Sequence, residues 1–291
     1  MSYKEKAIAT YSRTKEIMEK FQLFTKKNYG QNFIIDPTTV EKIALLAQLG
    51  ERTAVIEIGP GIGALTEQLA KHSKTVVCFE VDERLKPVLE MSLQEYGNIE
   101  VIFEDFLKVD LDYYVKELKK SHERVVVCAN LPYYITTPVL FHIFDSKADI
   151  SYITVMMQKE VANRLSAICS TKDYNALSII VQYKYNVKVV MKIGKNVFLP
   201  KPNVDSSVVQ FEKKNIEKVV SDEERFFEFV KAAFTQRRKT IFNNLKAVSN
   251  NIELILKEAG IGLERRAESL TVEEFIDLFE VYYEKESIRK N

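Results

Sequence analysis

The 291-residue sequence predicts an α/β fold: a largely parallel, Rossmann-like sheet flanked by helices, followed by a small all-helical region. Three observations predict it. Short apolar runs alternate with helical stretches between residues 53 and 157. A glycine-rich turn, Gly59-Pro60-Gly61-Ile62-Gly63, follows the first apolar run. Beyond about Glu212 the strand patterns give way to helical ones. Strands alternating with helices imply right-handed crossovers, which cover both faces of a parallel sheet.

Each element has its own signal. Asp36-Pro37 before residues 38–46 reads as a capped helix, with Pro37 in its first turn and Gly50 as its stop. Residues 53–58 form a buried-strand pattern that feeds the glycine turn, and residues 64–72 suit a helix. Residues 75–79 form a second strand ending at Glu80, with a helix expected from Asp82. A third strand, 99–103, ends at Glu104-Asp105-Phe106. A fourth, 124–129, ends at Asn130, followed by a helix over 136–144 and a fifth strand over 152–157. Helices are expected over 223–235, 238–248, 252–259 and 272–283. This gives a sheet-bearing domain at 1–212 and a helical domain at 213–291.

Composition excludes several classes. The chain is 46% hydrophobic and 29% charged, ordinary for a globular protein. No run of about 18 apolar residues occurs, and Met1-Ser2-Tyr3-Lys4-Glu5 has no apolar leader character, so no membrane association and a cytoplasmic location are expected. Cys78, Cys128 and Cys169 form no C-x-x-C pair, which favours reduced thiols over disulfides or a metal site. Net charge is only +1, but its distribution is uneven. Residues 173–205 hold five lysines with no acid between the terminal aspartates, and residues 231–246 hold Arg237, Arg238 and Lys239 with no acid. Residues 1–30 carry seven bases against three acids, whereas residues 247–291 carry ten acids and six bases. Segregated basic stretches of this kind suit contact with a phosphate backbone.

The glycine turn at a helix start lets a ligand approach the backbone at Gly59 and Gly61. Glu80 and Val81 follow at the end of the next strand, where a carboxylate can hold both ribose hydroxyls. Asp105 is a candidate acceptor for an adenine amino group, and Phe106 a packing surface for the ring. Taken alone, Gly59-x-Gly61-x-x-Ala64 fits a nicotinamide dinucleotide as well. The segment Asn130-Leu131-Pro132-Tyr133 separates the two readings, because hydride transfer gives it no role. An adenine amino nitrogen is a poor nucleophile, its lone pair being conjugated into the ring. Two acceptors aimed at its hydrogens, the Asn130 side-chain oxygen and the Leu131 carbonyl, favour the pyramidal geometry that attack on a methyl sulfonium needs. Pro132 fixes φ, and Tyr133 offers a stacking face worth about 1–3 kcal/mol.

With these motifs the chain resembles the ribosomal RNA adenine N6,N6-dimethyltransferases, in their small-subunit branch. The resemblance rests on Gly30-Gln31-Asn32-Phe33-Ile34, residues 57–66, Asn130-Leu131-Pro132-Tyr133, residues 157–165, residues 198–208 and residues 234–240. It implies a class I methyltransferase fold with a seven-stranded sheet and a helical C-terminal domain. It also implies S-adenosylmethionine as co-substrate, without a metal, contacted by Asn32, Ile34, Gly59, Gly61, Glu80, Asp105 and Asn130. Phe198 would be a second aromatic beside the target base, while Lys201, Arg237, Arg238 and Lys239 would contact RNA. Two adjacent adenines in the 3′-terminal hairpin of small-subunit rRNA, in an immature 30S particle, would each receive two methyls from a monomeric enzyme. Tyr134 and Thr136 stand where Asn and Ser are commonest in the family. Leu131 and Pro138 favour the small-subunit branch over the antibiotic-resistance branch, which methylates large-subunit RNA and usually reads Asn-Ile-Pro-Tyr. A non-enzymatic ribosome-assembly factor is the remaining alternative.

Overall fold

The computed structural model describes residues 6–23, 32–215 and 218–288. Gly30 and Gln31 of the first family segment lie outside the described residues. The described chain opens with α1 (Tyr11–Lys20), β1 (Phe33–Ile34) and α2 (Pro37–Leu46). The Asp36 carboxylate caps α2 by accepting from the Thr39 amide at 3.1 Å, with Pro37 at the helix start. The helix ends at Ala47 rather than at Gly50, because Gln48 itself takes a left-handed φ of 58° and turns the chain earlier.

The alternating core follows: β2 (Thr53–Ile58), α3 (Ala64–His72), β3 (Thr75–Glu80), α4 (Lys86–Ser92), β4 (Ile99–Phe103), α5 (Leu111–Lys119), β5 (Arg124–Asn130), α6 (Thr136–Asp145) and β6 (Tyr152–Gln158). Strand β2 pairs in parallel with β3 and β5, placing Glu57 opposite Cys78 on one side and Cys128 on the other. All six β2 residues are buried, as expected for a strand covered on both faces. The helix after β3 begins later than its sequence suggests. Glu83–Leu85 first form a 3₁₀ turn, capped by Asp82 on the Arg84 amide at 3.2 Å, and the α-helix then starts with a proline in its first turn.

Beyond β6 come α7 (Lys159–Leu165), α8 (Ala176–Lys184), β7 (Tyr185–Ile193), β8 (Phe198–Leu199) and β9 (Ser206–Lys213). The large sheet has seven strands in the order β4-β3-β2-β5-β6-β9-β7, with β9 antiparallel to β6. A wholly parallel dinucleotide-binding sheet runs 3-2-1-4-5-6. Here an antiparallel last strand is inserted beside the fifth, which matches the class I methyltransferase arrangement that the family resemblance implies. Because β9 runs backwards, its first residue, Ser206, stands opposite Gln158, at the edge where the parallel strands end. Strands β1 and β8 form a separate antiparallel pair, Phe33 with Leu199 and Ile34 with Phe198.

The chain divides into two compact units, one of Met1–Ala162 with Lys188–Lys213, the other of Asn163–Val187 with Lys214–Asn291. A single cut after residue 212 therefore leaves out residues 163–187, which fold with the C-terminal helices α9 (Glu223–Ala233), α10 (Ile241–Leu245), α11 (Ile252–Glu258) and α12 (Val272–Ile288). Aromatic packing explains the grouping. Tyr183 on α8 lies 5.3 Å from Phe226 on α9, which lies 5.3 Å from Phe279 on α12. The Tyr183 hydroxyl also accepts from the Val220 amide at 3.1 Å. Cys78 and Cys128 are buried free thiols, and Cys169 is half-buried. Among the described residues no helix is long and apolar enough to cross a membrane.

Candidate active site

The loops that follow β2, β3, β4 and β5 meet at one edge of the sheet around an open cleft. That is the edge where ligands bind in open α/β sheets. Gly59, Gly61 and Gly63 all have positive φ, of 69°, 59° and 88°. At Gly61 the requirement is also steric: a Cβ there would stand 3.3 Å from Cε1 of Phe33. The bare backbone lets the β1 segment close against the glycine turn.

Glu80 ties β3 to this turn. Its Oε2 accepts from the Gly61 amide at 3.3 Å, and its Oε1 from the amides of Val81 and Asp82, both at 2.9 Å. Burial pushes its carboxyl above the usual range, against the lowering effect of these three amides. With one donor on Oε2, the carboxylate keeps acceptor capacity for a hydroxyl. Glu57 lies deeper, fully buried beneath the cleft, and burial raises its pKa from the ordinary 4.5 to about 7. The Cys78 thiol donates to its Oε2 at 3.4 Å.

At the end of β4, Asp105 caps a 3₁₀ turn through Oδ1, which accepts from the Leu107 amide at 3.1 Å. Its Oδ2 lies 4.0 Å from the Lys108 ammonium. Asp105 therefore serves the turn and lines the cleft at once. Phe106 is buried, packed edge-on against Phe79 at 5.6 Å and His142 at 5.3 Å, and presents only part of its ring to the cleft.

Asn130 is the last residue of β5, opposite Met156 of β6. The Leu131 amide donates to the Met156 carbonyl at 3.3 Å, so the turn leaves the sheet from a fixed point. The Pro132 carbonyl accepts from the Ile135 amide at 3.2 Å and from the Thr136 hydroxyl at 3.0 Å. Thr136 thus does work that a serine hydroxyl could also do, and its departure from the commoner residue leaves the turn intact. The Tyr133 hydroxyl lies 2.9 Å from Oγ of Ser206, and burial raises its pKa. Tyr134 lines the cleft and is itself 57% exposed, at the mouth.

Asn32, Ile34, Val81, Pro132 and Phe198 complete the sequence-derived residues that line this cleft. Phe198 is buried in the hydrophobic core and also lines the cleft. Lys201 is exposed and is not among the lining residues. Arg237, Arg238 and Lys239 belong to the other compact unit, on an exposed turn after α9. Arg237 is already paired there, its Nε donating to Glu268 at 2.9 Å. Phe33 and Glu57 also line the cleft, although no motif in the sequence marks either as a site residue. Strict strand alternation would have turned Phe33 away from the face shared by Asn32 and Ile34.

The model for the family described as ribosomal RNA adenine dimethylase matches residues 23–284. The chain belongs to that family. Its members are enzymes that dimethylate ribosomal RNA adenines, and RNA is the partner that this family description carries. The chain is 48% identical to ribosomal RNA small subunit methyltransferase A of Oceanobacillus iheyensis (strain DSM 14371) over 289 residues, covering 97% of this chain and 98% of that one. It is 48% identical to the protein of the same name from Anoxybacillus flavithermus (strain DSM 21510) over 286 residues, covering 96% and 97%. Among solved structures, the 23S rRNA methyltransferase ErmE superposes with a TM-score of 0.67 at 25% identity, covering 86% of this chain and 98% of that one. A dimethyladenosine transferase from Plasmodium falciparum superposes with a TM-score of 0.72 at 22% identity, covering 87% and 98%, a likeness of fold.

Proposed function

We propose that this dimethylase transfers methyl groups from S-adenosylmethionine to N6 of two adjacent adenines in the 3′-terminal hairpin of small-subunit rRNA. We take its substrate to be an immature 30S particle and its working form to be a cytoplasmic monomer. One observation carries the reading: the Asn130-Leu131-Pro132-Tyr133 turn shares a single cleft with the glycine turn, Glu80 and Asp105. The small-subunit choice rests on 48% identity across nearly the whole chain to relatives named for that subunit, against 25% to the large-subunit enzyme.

The donor set fits the co-substrate. In this reading Glu80 accepts from ribose hydroxyls, Asp105 from an adenine amino group, and Gly59 and Gly61 admit close approach of the ligand to the backbone. Asn32, Ile34, Val81 and Phe106 enclose it with apolar and amide surface. The co-substrate supplies an electrophilic methyl on a sulfonium. The protein then orients the acceptor. Asn130 Oδ1 and the Leu131 carbonyl accept from the N6 hydrogens and draw the nitrogen lone pair out of conjugation. Tyr133 and Phe198 hold the extruded base, and Pro132 keeps the turn rigid. The surplus proton leaves to solvent after transfer, so no strong base is required. Lys201, Arg237, Arg238 and Lys239 supply contacts to the RNA backbone.

Asn130→Ala tests this reading. Binding of small-subunit RNA stays within about twofold while turnover falls by at least about 10²-fold, the scale for loss of a preorganised polar group in a transition state. Methylation at the wild-type rate by that variant rules the mechanism out.

A further inference from the structure

We propose that Ser206 is a positioning residue for methyl transfer: its hydroxyl fixes the Tyr133 ring as one wall of the acceptor-base pocket. The inference rests on the reading that Tyr133 stacks the target adenine. Tyr133 is held at both ends. Its backbone belongs to the turn pinned by the Leu131 amide on the Met156 carbonyl at 3.3 Å, and its phenol tip meets Ser206 Oγ at 2.9 Å. A ring anchored only through its Cα would be free to swing about two side-chain torsions, and its stacking face would have to be ordered when the base arrives.

The anchor is itself rigid. Ser206 is buried, opens β9, and stands opposite Gln158 at the ligand edge of the sheet. The residue before it is fixed twice: the Asp205 carbonyl accepts from the Lys159 amide at 3.0 Å, and its Oδ1 accepts from the Lys195 amide at 3.0 Å. The same segment leads back to Phe198, the other aromatic of the pocket. Phe198 is held separately, by the pairing of β8 with Ile34 of β1, so the contact at Ser206 is what orders the Tyr133 wall before RNA binds.

Methyl transfer to unmethylated small subunits tests this with Ser206→Ala, Ser206→Thr, Tyr133→Phe, Tyr133→Ala and the Ser206→Ala/Tyr133→Phe double variant. Equilibrium binding of S-adenosylmethionine and thermal midpoints are measured alongside. Ser206→Ala and Tyr133→Phe each lower kcat about tenfold, as for one hydrogen bond, and the double variant is no worse than either. Ser206→Thr recovers to within about twofold, and co-substrate affinity is unchanged throughout. Multiplicative losses in the double variant, or wild-type kcat in Ser206→Ala, overturn the proposal. Tyr133→Phe breaks the same contact without touching β9, so instability of the serine variant leaves the test intact. Full activity in Tyr133→Ala defeats the underlying stacking reading. An inactive Tyr133→Ala beside a fully active Tyr133→Phe defeats only the role of Ser206.

Discussion

The Glu80 carboxylate accepts from the Gly61 amide at 3.3 Å, joining the end of one strand to the turn that follows its neighbour. One side chain thereby shapes the glycine turn and presents an acceptor to the cleft. Glu80→Ala removes both. We expect S-adenosylmethionine affinity, measured by isothermal titration calorimetry, to fall at least about tenfold, since hydrogen bonds to charged groups contribute about 1.5–3 kcal/mol. An unchanged affinity removes Glu80 from the binding site.

Glu57 predicts a pH dependence of stability. The folded protein holds its proton up to about pH 7, whereas the ordinary carboxyl value is 4.5. The stabilising contribution of the protonated form is thus complete below pH 4.5 and lost as pH rises through 7. Glu57→Gln keeps an amide oxygen for the Cys78 thiol and carries no charge to bury. Relative to wild type, the variant gains about 2–3 kcal/mol between pH 5 and pH 8 in denaturant titrations. A parallel dependence in both proteins excludes a buried, titrating Glu57.

Arg237 and Arg238 are adjacent and exposed, yet Arg237 is already paired with Glu268. Removing Arg238 flattens the salt dependence of RNA binding by about one unit of slope, the amount for one lost phosphate contact. Removing Arg237 has the smaller effect, because its charge is partly neutralised in the free protein. Equal effects, or none, in salt titrations of the two alanine variants contradict this ranking.

The fold was legible where each structural signal was local. Residues 53–58 form a strand because an apolar run meets a glycine turn, and Glu80, Asp105 and Asn130 line one cleft because each sits where a strand ends. Strand β9 was not legible as a strand from its residues. It opens with Ser206 and Ser207, polar residues that are fully buried, and it pairs with β6 across a long separation in sequence. Strand β7 was hidden for another reason. Lys184 ends α8 and Tyr185 begins β7 with no glycine, proline or asparagine between them to mark the change. The contact of Phe33 with Gly61, and that of Tyr133 with Ser206, depend on pairings that no spacing in the chain records.

The most direct test of the central claim is to incubate the protein with labelled S-adenosylmethionine and unmethylated ribosomal subunits, then locate the modified base by mass spectrometry. The account predicts N6,N6-dimethyladenosine at two adjacent positions in the 3′-terminal hairpin of small-subunit rRNA. Label confined to large-subunit RNA, or no transfer at all, contradicts it.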